Sequence, residues 1–165
     1  MSGPQTPRRK SRRRAFQVLY GFNFEAPVNE RELLKLVEDA PDDPGQAPST
    51  DDYVLTLVQG VWRVHAELDA IISAHAQNWK LARIAKVELT ILRLALFEIL
   101  HVEDIPLRVA INEAVELSKQ FGDDNSPGFV NGILDAVAKG VDKGKFGGQK
   151  VLAKPKTKAA NDDPK

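Results

Sequence analysis

The stretch PRRKSRRR, residues 7–14, sets six cations side by side (Arg8, Arg9, Lys10, Arg12, Arg13 and Arg14) with no acid among them. Groups at that density neutralise successive phosphates of a nucleic-acid backbone, although a run of like charge is also what a solvated tail looks like. Residues for covalent or metal chemistry are sparse by comparison. His65, His75 and His101 have no second His at i+3 or i+4, so helix geometry builds no metal site from them. GVDKGKF, residues 140–146, is one residue short of a phosphate-loop spacing and has Phe146 where Ser or Thr should hold magnesium. The carboxylate pairs Asp51/Asp52 and Asp123/Asp124 fall at helix starts or turns, where the helix dipole accounts for them. No Ser, His and Asp set presents itself, and neither an enzyme nor a cofactor is expected.

The rest of the chain sharpens the contrast. Its 23 Lys and Arg balance 23 Asp and Glu, but residues 15–138 hold nine basic against 20 acidic groups, a net of −11. The last 27 residues return eight basic against three acidic, a net of +5. An acidic body with two basic ends attracts a polyanion to particular places. At 165 residues and 42% apolar composition the chain suits one ordinary domain or two very small ones. Without cysteine it has neither disulfides nor thiolate metal sites. With no apolar leader and no apolar run of membrane length, a cytoplasmic protein is expected.

Helical periodicity dominates the body and nothing reads as a strand, so the expected fold class is all-α. Ala15, Val18, Leu19 and Phe22 lie at i, i+3, i+4 and i+7, which predicts a first helix whose basic first turn precedes an apolar face. Asn29 with Glu32 three residues on is a variant capping box for a second helix, which Pro41 stops. Ser49 or Thr50 caps a third, carrying Val54, Leu57, Val58, Val61, His65, Leu68, Ile72 and His75 on one face to about residue 76. After a break at Gln77 and Asn78, WKLARIAKVELTILRLALFEILH is apolar on two stripes, as in the central helix of a bundle. There Arg93 and Glu98 either share a narrow polar strip, the reading the periodicity favours, or pair across to another element. Pro106 opens a fifth helix that Gly122 ends; Ser126 caps a sixth, with Pro127 in its first turn and Gly140 as its stop. The expected organisation is a three-helix lobe over 8–77 with an arginine-rich arm and a second over 78–140. Residues 1–7 and the Lys-rich 141–165 are read as disordered.

Four blocks in order carry a resemblance: RRRAFQVLYGF, VELTILRLALFEI, VAINEAVELSKQFG and SPGFVNGILD. Together they resemble the NusB family of bacterial transcription antitermination factors, from about Arg8 to Ala138. The resemblance implies a non-catalytic RNA-binding protein of two packed three-helix lobes. It implies pairing with ribosomal protein S-ten, called NusE in this role, and binding of the single-stranded boxA element of ribosomal RNA operon leaders. NusA, NusG and RNA polymerase enter through that complex, and a link to small-subunit ribosome maturation comes with the family. Some relatives form homodimers that cover the RNA surface.

Carried over by position, the resemblance assigns RNA contact to the arginine-rich start, Arg8, Arg9, Arg12 and Arg13, with Lys10 and Arg14 in the same run, and to Gln17 one turn on. Lys119, Phe129 and Asn131 are its RNA-facing counterparts near the C-terminal end of the body. Tyr20 and Glu88 match the surface that faces NusE. Gly128 departs from the pattern, because many relatives have a basic residue there.

Single-stranded RNA is held by cations on its phosphates and by stacking and edge contacts to its bases. Six neutralised phosphates would give a salt slope of about −4, or a few hundredfold in affinity between 50 and 200 mM salt. A DNA-reading helix-turn-helix fits poorly, since residues 127–138 contain no Lys or Arg. An RNA methyltransferase that carries a NusB-like module would need a nucleotide fold and a catalytic Cys that this chain lacks. The remaining rivals are a helical protein–protein adaptor and a general RNA-binding or ribosome-maturation factor without boxA specificity.

Overall fold

The computed structural model describes residues 7–40, 51–76 and 80–142. These form six α-helices and one 3-10 turn: α1 (Pro7–Gly21), α2 (Glu30–Asp39), α3 (Asp52–His75), the 3-10 turn Leu81–Arg83, α4 (Lys86–His101), α5 (Leu107–Phe121) and α6 (Ser126–Asp142). The described residues contain no strand, and the all-α reading holds. Contacts divide the chain into two compact units between His65 and Ala66. The division falls inside α3, next to Val64, whose φ of −115° and ψ of 21° break the helical path. The break read at Gln77 and Asn78 lies outside the described residues. So do Ser49 and Thr50, and the termini read as disordered, except for Pro7, Val141 and Asp142, which are helical.

In the first unit α1 begins at Pro7, so all six cations are helical and none forms a loose arm. Proline's fixed φ suits a first helical turn, and Arg and Lys are good helix formers. Its apolar face buries Ala15, Phe16, Val18 and Leu19. Helix α2 starts as its cap predicts: Asn29 accepts the Glu32 N–H at 2.8 Å, while Glu32 reaches back to the Val28 N–H at 2.9 Å. Asp51 caps α3, accepting the Val54 N–H at 2.8 Å. Val54, Leu57, Val58 and Val61 supply its core, but His65 is exposed and its Nδ1 lies 3.0 Å from the Trp62 carbonyl. Glu30 of α2 and Arg63 of α3 form a two-pronged ion pair at 2.6 and 3.0 Å.

In the second unit α4, α5 and α6 pack on one another. Helix α4 is shorter than its apolar pattern, because Ile84 and Ala85 are extended between the 3-10 turn and Lys86. From Leu89 to Leu100 every residue but Arg93 is buried, as two apolar stripes require. Arg93 reaches Asp69 of α3 with two bonds, 2.7 and 2.9 Å, and Glu98 is only 1% exposed. For Arg93 pairing with another element replaces the solvated polar strip, and Glu98 is buried rather than solvated. Two terminus readings also change: α6 runs through Gly140 to Asp142, and Ser126 lies within its first turn, since Asn125 already accepts the Phe129 N–H.

Candidate nucleic-acid interface

At 100° per residue, α1 separates its cations by face. Ser11, Arg12 and Arg14 lie on the inward arc, each at most 5% exposed. Ser11 donates to Asp51 at 2.6 Å, fastening α1 to the cap of α3. Arg14 donates from one Nη2 to the Val37 and Ala40 carbonyls at 2.9 and 2.7 Å. Both carbonyls belong to the last turn of α2, where intrahelical donors run out; Val37 also accepts the Ala40 N–H, at 3.4 Å. Arg8 lies with Cζ 4.2 Å from the centre of the Tyr53 ring, a cation–π contact.

Arg9, Lys10 and Gln17 are exposed and Arg13 is half-buried. Arg9, Arg13 and Gln17 sit at i, i+4 and i+8 and make one stripe along the helix. Half-buried Tyr20 continues it three residues on, stacked on Phe16 at 5.9 Å and edge-on to Phe24 at 5.4 Å. Phe24 and Val28 beyond it are 67% and 78% exposed. The stripe thus passes from cations through an amide to an aromatic patch.

The expected residues of the second unit are less of a set. Exposed Lys119 is paired with Glu116 on its own helix at 3.3 Å. Phe129 is half-buried and Asn131 exposed, its Nδ2 3.4 Å from Asp135. Two residues apart on α6, these side chains leave the helix about 200° apart and share no face. Gly128 is exposed with open space around it, so the missing basic residue is not replaced by a packed one. Glu88 is half-buried and accepts a hydrogen bond from Ser126 at 2.7 Å.

Several contributors escaped the sequence reading. Asp51 and Tyr53 hold the basic helix, yet nothing local to them announces a partner 40 or more residues earlier. Lys80, Arg83 and Lys86 are exposed and make no side-chain ion pair among the described residues. Their signal was available: no Asp or Glu occurs between Asp69 and Glu88. Among the described residues no group of three or more metal-ligating His, Cys, Asp or Glu forms.

A protein whose described residues form six helices, the first of them basic and half-anchored, fits the class of small helical nucleic-acid-binding proteins. Residues 9–139 match the NusB family, and the chain belongs to that family, one of transcription antitermination factors. The transcription antitermination protein NusB of Nitratidesulfovibrio vulgaris strain Miyazaki F is 46% identical over 156 residues, covering 87% of this chain and 94% of its own. The structure of T. maritima NusB superposes with a TM-score of 0.68 at 34% identity, over 82% of this chain and 93% of that one. A crystal structure of antitermination factors NusB and NusE in complex with double-stranded RNA gives a TM-score of 0.66 at 27% identity, over 80% of this chain and 96% of that one.

Proposed function

We propose that this chain binds boxA-type RNA of ribosomal RNA operon leaders together with NusE, as a cytoplasmic antitermination factor without a catalytic step. NusA, NusG and RNA polymerase would join through that complex. The observation that carries the reading is the stripe Arg9, Arg13, Gln17 and Tyr20 on one face of α1. Cations and an amide suit phosphates and bases, and the adjoining Tyr20, Phe24 and Val28 suit a protein partner. Arg8 and Lys10 flank the stripe; Arg12 and Arg14, being buried, serve its position. Lys119, Phe129 and Asn131 would add separate, weaker contacts, and Glu88 would face NusE. A homodimer that used the α1 face would hide it until RNA or NusE displaced the second copy.

Titration of labelled boxA RNA against the protein, with and without NusE, tests this. Tighter binding with NusE, lost for a scrambled sequence, is the expected result. Equal affinity for both sequences would leave only a general RNA-binding factor. No salt-dependent binding by the isolated protein would leave a helical adaptor. Because a NusB–NusE neighbour was crystallised with double-stranded RNA, a duplex boxA arm belongs in the same titration. Preference for the duplex would replace the single-strand reading.

A further inference from the structure

Glu88 has a partner within its own unit. Its Oε2 accepts the single hydroxyl proton of Ser126 at 2.7 Å, across 38 residues of sequence. With that proton committed, the Ser126 oxygen presents a lone pair to the Asp123 N–H, 3.0 Å away. Asp123 in turn accepts the Asn125 N–H at 2.8 Å, closing the turn from which α6 starts. Ser126 is 2% exposed, and a Cβ at Gly122 would collide with its Oγ. The turn is therefore closely packed around this hydroxyl.

We infer that Glu88 is a positioning residue for α6: through the Ser126 hydroxyl, it fixes the turn that sets how Phe129 and Asn131 are presented. The effect on RNA rests on the reading of α6 as RNA-facing; the clamp itself does not. A buried hydroxyl that loses its charged acceptor at 2.7 Å turns to the longer contact with Asp123 Oδ1 at 3.4 Å, and the Asp123 amide loses a well-directed partner. Glu88→Gln keeps an acceptor oxygen for Ser126, whereas Glu88→Ala removes it.

The test uses the full chain without NusE. Amide hydrogen exchange should be about tenfold faster from Asp123 to Phe129 in Glu88→Ala and in Ser126→Ala, with α4 unchanged. Glu88→Gln should restore the parent rates, and the double variant should match the single ones, as members of one link do. Affinity for labelled boxA RNA should fall several-fold in Glu88→Ala and recover in Glu88→Gln. Unchanged exchange in Glu88→Ala overturns the clamp. Faster exchange with unchanged RNA affinity overturns the inference that the clamp serves RNA binding. If the parent protein binds no RNA, the functional reading fails while exchange still decides the clamp.

Discussion

Helix α1 and the turn between α5 and α6 both lead to candidate RNA contacts, and they are held in opposite ways. Helix α1 is fastened by long-range polar links at its basic end: Ser11 to Asp51, Arg14 to the end of α2, and Arg8 over Tyr53. The α5–α6 turn is held by close packing at Gly122 and one hydroxyl bridge to Glu88, beside an α4 that is buried along most of its length. In the first region the same residue type both anchors and is displayed. In the second, the residues that anchor differ from those displayed. A substitution in α1 therefore changes either stability or charge display according to its face, whereas one in the turn acts on α6 only through geometry.

The strongest way to break the comparison is Arg14→Ala. Two carbonyls at the end of α2, Val37 buried and Ala40 half-buried, lose a charged donor, which costs about 2–4 kcal/mol. Thermal or denaturant unfolding should show it, and Arg14→Lys should recover only part, since the shorter lysine stem does not carry its ammonium to the place of Nη2, which donates both bonds. Were Arg14→Ala as stable as the parent, Arg14 would rank with the displayed cations and the two faces of α1 would lose their distinction.

Gly122→Ala comes next. Its φ of −97° is open to any residue, so the glycine is there for space and not for a left-handed turn. The added methyl meets Ser126, a short side chain that cannot swing away, and the overpacking costs about 1–3 kcal/mol. Denaturant melts should shift by that amount without a change in slope. A neutral result would show that the turn is loose and that packing does not hold α6.

A smaller effect separates display from anchoring. In Arg9→Ala with Lys10→Ala the melting temperature should stay within error of the parent. The dependence of log K for boxA RNA on log salt should flatten by about 1.4, at 0.7 per phosphate contact. A lower melting temperature with an unchanged slope would reverse the assignment of the two faces.

What was legible in the sequence follows the same division. Apolar periodicity located the six helices of the described residues, and Asn29 and Glu32 marked the start of α2 as they stand in the structure. The arginine run was visible as charge, but its division into anchors and displayed groups was not. That division depends on carbonyls at Val37 and Ala40 and a ring at Tyr53, and separations of 23 to 45 residues leave no local trace. Helix ends failed where backbone competed with pattern: Ile84 and Ala85 carry the apolar pattern and are extended nonetheless. The RNA-facing roles of Phe129 and Asn131 were assigned through family resemblance, which carries residue identity but not the 200° between their faces.

The smallest effect concerns the surface link of the first unit. The Arg63 guanidinium, through its hydrogen bonds to Glu30, holds that carboxyl below its ordinary pKa, and Gln59 adds a lesser bond. A carboxyl whose folded pKa is lowered adds stability above its unfolded pKa, and that stability is lost as pH falls through the folded one. Both side chains are largely exposed, so salt screens the pair and its effect is slight. In Arg63→Ala the melting temperature should lie slightly below the parent at neutral pH, and the gap should close on acidification, as Glu30 takes up its proton in both proteins. High salt at neutral pH should close it as well. A gap that persists unchanged into acid would mean that Arg63 acts by packing its stem on α3, and the polar fastening of this unit would then reside in Ser11, Arg14 and Arg8.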